Sequence, residues 1–421
     1  MAYIPSPHKP DPSSCQTFRA GRPAKARRAD FDLLNVISCF AVFLAHVLLI
    51  FGPYPLYHLK NSTFSVPVGI VYEFVRDTMM ALFFLLAGWS SMASIRSAGA
   101  GNFIRKRCRR LLVPFFAGIY LLCPAIKYIE LLGGTSFKIN GPELLGPIPM
   151  SFVEFLPKYY ARFNWVTWSH LWFLVYLMFY CLVFLPVLVR LAREDSETGI
   201  LHLPGWLAYV PFVPLGLLLA CFKGWWPFYP SLWKDWVNLG YFGLFFLIGA
   251  VMETCPAFER CVRRNWAPLG LIGLAGFAGV VWNVETDLGR FLVAVAAWGC
   301  ACGFMGLAAR FHPVENKLVK YLREASLPIY LLHHTVVLVL GWYVVHLDAG
   351  IAVKIAILLP LSVLITFSVY EGLIRRLPVL RFLFGMHPLR TGRRPASKQG
   401  THQREIDKRV STQPTPSSMS F

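Results

Sequence analysis

Residues 31–52 read FDLLNVISCFAVFLAHVLLIFG, and the length of this apolar run decides how the chain folds. A helix crossing the ~30 Å hydrocarbon core of a bilayer needs roughly 20 apolar residues. Nine further runs of that kind follow, at about 78–95, 111–132, 170–191, 204–222, 238–254, 267–283, 290–309, 326–346 and 350–371. The fifth carries Pro204, Pro211 and Pro214, which a span tolerates where neighbouring groups satisfy the freed backbone. The pattern predicts an all-α, polytopic membrane bundle of about ten transmembrane helices. The first run follows a long basic leader and has no small-residue cleavage site after it, so it reads as a span and not as a signal peptide.

The composition agrees with a membrane class. Of 421 residues 56% are hydrophobic and 15% charged, with a mean hydropathy of +0.52 and thirteen Trp; soluble domains carry about a quarter charged residues. The net charge of +19 raises nucleic acid as a partner, but the cations sit in tails and short loops between apolar runs, which argues against it. With the N-terminus inside, the six cytoplasmic segments hold 31 of the 41 Lys and Arg, the asymmetry that the positive-inside rule describes. Both termini are therefore expected in the cytoplasm of a multi-pass inner (plasma) membrane protein. Residues 1–27 and 386–421 read as disordered basic tails flanking a membrane domain at 28–385. The ten cysteines are scattered without metal-ligand spacing, so neither a disulfide framework nor a metal is expected.

Ionisable residues inside spans are costly, and each is a functional candidate. His46 lies over ~20 Å along the first span from Phe31, where a neutral imidazole could take a proton from a hydroxyl; a histidine bonded between helices is the plainer alternative. His170 opens the fourth span at the same outer face and could share a cavity with His46. His333 and His334 lie in the ninth span, and because neighbours on a helix point about 100° apart, at most one is expected to face that cavity. Arg107 and Arg110 lie three apart in a run of cations before the third span. Orientation alone explains most of these charges, but an Arg fork also suits a phosphate-bearing donor. Glu73, Arg76 and Asp77, placed before the second span, and Lys127 with Glu130 are spaced to form structural ion pairs. The outer loop 133–169, rich in Gly, Pro and aromatics, could lie on the membrane or cap a cavity.

Read together, these segments resemble the acyltransferase 3 family of membrane acyltransferases, and more closely its glucan-biosynthesis-protein-C-like branch. Arg28, Asp32 and Leu34, with His46 beyond them, are similar to the family's opening R-x-x-x-D-x-L and its histidine. Residues 80–88 (MALFFLLAG) resemble M-P-L-F-F-x-x-S-G, and 107–114 (RCRRLLVP) resemble R-x-x-R-L-x-x-P. His170 opens the branch's H-L-W-F-L, residues 241–249 resemble the family's Y-F…F-x-x-G segment, and 327–333 (LPIYLLH) resemble its late I-Y-x-x-H. The resemblance implies ten core spans and transfer of an acetyl or succinyl group from cytosolic acyl-CoA, with no metal, to a hydroxyl of an envelope carbohydrate. It gives His46, His170 and His333 catalytic roles and puts the donor at Arg107 and Arg110. Many members carry an Arg eleven residues before the histidine, where this chain has Asn35. A transporter or flippase for a glycan or lipid-linked substrate would also use intramembrane histidines, but would bring repeat symmetry, and none is visible.

Overall fold

The computed structural model describes residues 28–387 except 55–56, 139–140, 145, 163–164, 194–203, 224–231, 233, 284–285 and 312–316. The tails expected to be disordered lie outside the described residues, His387 and residue 386 apart. The helices are α1 (Ala29–Phe51), α2 (Val66–Ala98), α3 (Ala100–Arg107), α4 (Val113–Leu121), α5 (Cys123–Leu132), α6 (Phe152–Ala161), α7 (Trp172–Val183), α8 (Leu185–Arg193), α9 (Phe212–Phe222), α10 (Trp236–Thr254), α11 (Pro256–Arg264), α12 (Trp266–Trp282), α13 (Asp287–Arg310), α14 (Lys317–Val345), α15 (Ile351–Val369) and α16 (Pro378–Leu383).

Among the described residues, seven helices are long and apolar enough to cross a membrane, and three bent pairs raise the number to ten if each pair counts as one span. The bends are 41° between α4 and α5, 55° between α7 and α8, and 67° between α11 and α12. Each falls one to three residues before a proline, Pro124, Pro186 or Pro268. A proline has no N–H to donate, and its ring clashes with the turn before it, so the helix restarts in a new direction.

One boundary changes in the structure. The second span begins at Val66 and not near residue 78, because the charged residues before Thr78 find partners within the protein. Arg76 pairs with Asp77 at 2.7 Å, and Glu73 accepts from the Tyr54 hydroxyl at 2.5 Å. The outer loop is partly built. Strands β1 (Thr135–Lys138) and β2 (Gly141–Leu144) form an antiparallel hairpin. A capping box between Ser151 and Glu154 starts α6, and Leu131, Phe155, Tyr159 and Trp165 make a small core of their own.

The main core forms where α1 meets α2 and α14, and where α2 meets α10. Two glycines set the α2–α10 separation. A Cβ on Gly88 would lie 1.8 Å from the Phe246 carbonyl oxygen, and one on Gly249 would lie 1.9 Å from that of Leu85. Small residues let helix backbones approach this closely in membranes. Since the obstructing atoms are backbone and cannot rotate away, Gly88→Ala is expected to cost about 1–3 kcal/mol. A lower temperature of half-loss of the monodisperse peak on gel filtration in detergent would register it.

Candidate functional site

Four chain segments bring a cluster of imidazoles together. His46 comes from α1, His333 and His334 from α14, His170 from the 3-10 turn Ser169–Leu171 that opens α7, and His58 from the loop after α1. The His46 ring centroid lies 4.5 Å from that of His334, 4.9 Å from that of His333 and 6.3 Å from that of His170. Both His333 and His334 thus meet His46, where the 100° rule suggested one. Side chains 100° apart diverge on an isolated helix, but α1 packs against α14 and His46 comes within reach of both rings. His170, His333 and His334 are buried, whereas His46 is half-buried.

The loop carrying Tyr57 and His58 is tied down on both sides. The Lys60 ammonium donates to the Leu49 and Gly52 carbonyls at 2.8 and 2.7 Å, which satisfies acceptors that the end of α1 leaves open. Burial pushes the pKa of Lys60 down to about 8. Lys354 reaches across from α15 to Asn61 at 2.9 Å. The Phe137 ring of β1 lies 4.9 Å from His58, centroid to centroid, so the hairpin covers this side of the cluster.

Carbonyls and carboxylates only accept hydrogen bonds, and that constraint assigns most of the ring protons. His46 Nδ1 lies 2.8 Å from the Val42 carbonyl and must donate to it. In the neutral ring the Nε2 lone pair is then available to a substrate. His333 Nδ1 donates to the Tyr330 carbonyl at 2.7 Å, which leaves its Nε2 to accept from the His46 Nδ1–H at 3.3 Å. His170 Nε2 donates to the Leu331 carbonyl at 3.0 Å, so its Nδ1 accepts from His334 Nδ1 at 3.1 Å. The Tyr57 hydroxyl donates to His334 Nε2 at 2.8 Å. His58 Nδ1 donates to Glu130 at 2.6 Å. Glu130 also accepts from the Lys127 ammonium and from the Phe137 backbone N–H at 2.6 Å.

Among the described residues, no group of three or more His, Cys, Asp or Glu side chains is placed to hold a metal ion.

Arg107 and Arg110 lie at the other end of the bundle. Arg107 donates to Ser91 Oγ at 2.9 Å, beside Trp89, whose ring packs on Phe31 near the start of α1. From Phe31 to His46 the α1 axis rises about 22 Å. Residues Cys108–Leu112 form a π-helical turn, a feature frequent at functional sites; it widens the helix, so a three-residue spacing no longer implies one shared face. Arg107 is half-buried and Arg110 exposed. The opening motif has a visible structural use at this end. Arg28 bonds Asp30 and Glu259, both at 2.7 Å, and Asp32 bonds Arg323 at 2.7 Å, tying α1 to α11 and α14. The Asn35 amide donates to the Phe31 carbonyl of its own helix at 2.9 Å.

The structure therefore gathers His46, His170 and His333 and keeps Arg107 and Arg110 apart from them. It adds His334, His58, Tyr57 and Ser169, which the reading of spans had not put in the site, and it connects the Lys127–Glu130 pair to them. A histidine just past a span end, as His58 is, was the one available signal.

The family model described as an acyltransferase domain matches residues 28–371. The chain belongs to the acyltransferase 3 family. It is similar to the glucans biosynthesis protein C of Escherichia coli strain K12, of strain SMS-3-5 / SECEC and of O9:H4 strain HS. Each is 22% identical over 403 residues, covering 87% of this chain and 97% of the relative. No solved structure matches the chain. With its many apolar helices, the protein is a multi-pass membrane acyltransferase.

Proposed function

We propose that the chain moves an acetyl or succinyl group from cytosolic acyl-CoA to a hydroxyl of an envelope carbohydrate. The observation that carries the chemistry is the His46 ring, whose Nδ1 is held by Val42 while the Nε2 lone pair faces no partner among the described residues. Such a ring is oriented to take the proton of an acceptor hydroxyl. His333 holds the His46 ring through the Nε2 contact, and His170 holds His334; both act on orientation. The names of the relatives support a glucan as acceptor. The Lys and Arg asymmetry supports cytoplasmic termini and an inner-membrane location, with the Arg107 end inside.

On this reading the CoA phosphates dock at Arg107 and Arg110, and the thioester reaches the histidines through an apolar interior that limits hydrolysis. Arg107→Gln is expected to raise KM for acyl-CoA about ten- to a hundredfold with little change in kcat, since a hydrogen bond to a charged group is worth about 1.5–3 kcal/mol. Steady-state kinetics in detergent would separate the two constants. The decisive experiment compares, by mass spectrometry, the surface glycans of cells with and without this protein. An added acetyl or succinyl unit that depends on it is the expected result, and unchanged glycans and lipids would overturn the proposal.

A further inference from the structure

Ser169 stands in an arrangement that the direct reaction does not use. Its Oγ lies 3.2 Å from His58 Nε2, and His58 Nδ1 lies 2.6 Å from Glu130 Oε2. The Glu130 carboxylate can only accept, so His58 Nδ1 carries the proton and Nε2 turns its lone pair to the serine hydroxyl. On the other side His334 Nδ1 lies 3.1 Å from the same Oγ, and its single N–H is shared between that oxygen and His170 Nδ1. The hydroxyl is thus held between an acceptor and a donor, with its proton directed at His58. Glu130 is fully buried and fixed by Lys127 and by the Phe137 N–H, so the third member cannot swing away.

The backbone adds an independent sign. Ser169 has φ of +39°, one of two non-glycine residues in the left-handed region among the described residues. Such a conformation costs of order 1–3 kcal/mol and persists where the surroundings enforce it. It places the serine on a sharp turn at the start of α7, whose N-terminal end favours negative charge developing nearby.

We infer that Glu130, His58 and Ser169 form a nucleophilic triad, and that the acyl group rests on Ser169 between donor and acceptor. This rests on the acyl-transfer reading of the same site and gives it a covalent intermediate. In the first half-reaction Ser169 Oγ bonds to the carbonyl carbon of the acyl thioester as its proton passes to His58 Nε2. The C–S bond then breaks, and the departing sulfur takes that proton as a free thiol, leaving an ester on Ser169. In the second, the acceptor hydroxyl attacks the ester carbonyl and gives its proton to His46. The C–O bond to Ser169 breaks, and the proton returns to the serine oxygen. His334 joins the two stages in space, touching Ser169 and lying 4.5 Å from His46, centroid to centroid.

The test uses the full-length protein in detergent with acetyl-CoA and with succinyl-CoA, each labelled in the acyl group, and no acceptor. After an acid quench, peptide mass spectrometry is expected to find an ester on Ser169. Hydroxylamine should remove it, and added glucan oligosaccharide should discharge it. Ser169→Ala should lose the ester, with transfer falling at least about a hundredfold, and Ser169→Cys should carry a thioester at the same position. Wild-type rates in Ser169→Ala would overturn the relay and leave the acyl-transfer reading standing. So would steady transfer by the wild type with the label on an imidazole or nowhere on the protein. That labelling of the wild type decides the matter even if the alanine variant fails to fold. If folded wild-type protein transfers from neither thioester to the glucan oligosaccharide, both readings fall.

Discussion

Replacing His46 with Ala or Gln removes acyl transfer, with a fall of about 10²–10⁴-fold, the usual share of a general base. The reason lies in two nitrogens of one ring. Nδ1 donates to Val42 at 2.8 Å and touches His333 Nε2 at 3.3 Å, which holds the imidazole in the tautomer whose Nε2 can accept a proton. Gln cannot reproduce that basic nitrogen, and Ala removes the ring. Stability should change little by comparison, since His46 is half-buried and its one backbone bond stays within its own helix. The check is transfer to glucan oligosaccharide measured beside the gel-filtration profile of each variant. Full activity in either variant with normal folding would exclude His46 as the base.

Lys127→Met is expected to produce the largest loss of stability, about 3–5 kcal/mol, the range seen when one partner of a buried ion pair is removed. Lys127 and Glu130 are both fully inaccessible to solvent, so Glu130 would keep a buried charge without its cation. The Lys127 ammonium also donates to Ser136 Oγ at 2.9 Å and to the Phe137 carbonyl at 3.1 Å, and the hairpin loses these anchors as well. Without Lys127, the Glu130 carboxylate loses one of the groups that fix it, and the His58 ring that it orients toward Ser169 loses its support. Activity should therefore fall further than the fraction of folded protein does. Adding Glu130→Leu to Lys127→Met should recover much of the stability, because no uncompensated ion remains. It should not recover the triad. Thermal unfolding in detergent and transfer rates on the same samples distinguish the two effects.

The same residues show how far sequence reading reached. His46, His170 and His333 were legible because an ionisable group in an apolar run is conspicuous. Lys127 and Glu130 were legible as a pair from their spacing, but not as a support for His58, which lies 72 residues away. Ser169 gave no signal, since a serine at the edge of an aromatic loop is unremarkable until its backbone angle and its two imidazole neighbours are seen. The extent of α2 was misjudged because Glu73, Arg76 and Asp77, although spaced to pair, were placed before the span and not within its helix.

The sequence by itself determined that this chain is an all-α membrane bundle, since the length of an apolar run against the thickness of a bilayer is a property of each segment alone. Through its motifs it also pointed to the acyltransferase 3 family, to which the chain belongs. Tertiary structure alone decided which ring nitrogens are committed to carbonyls, and that His58, Glu130, Ser169 and His334 meet. Those contacts depend on how α1 packs against α14 and on the break at Ser169 that opens α7. Hydrophobicity drives burial without direction, so it brings the helices together but leaves the meeting of individual polar atoms to hydrogen-bond geometry across distant segments.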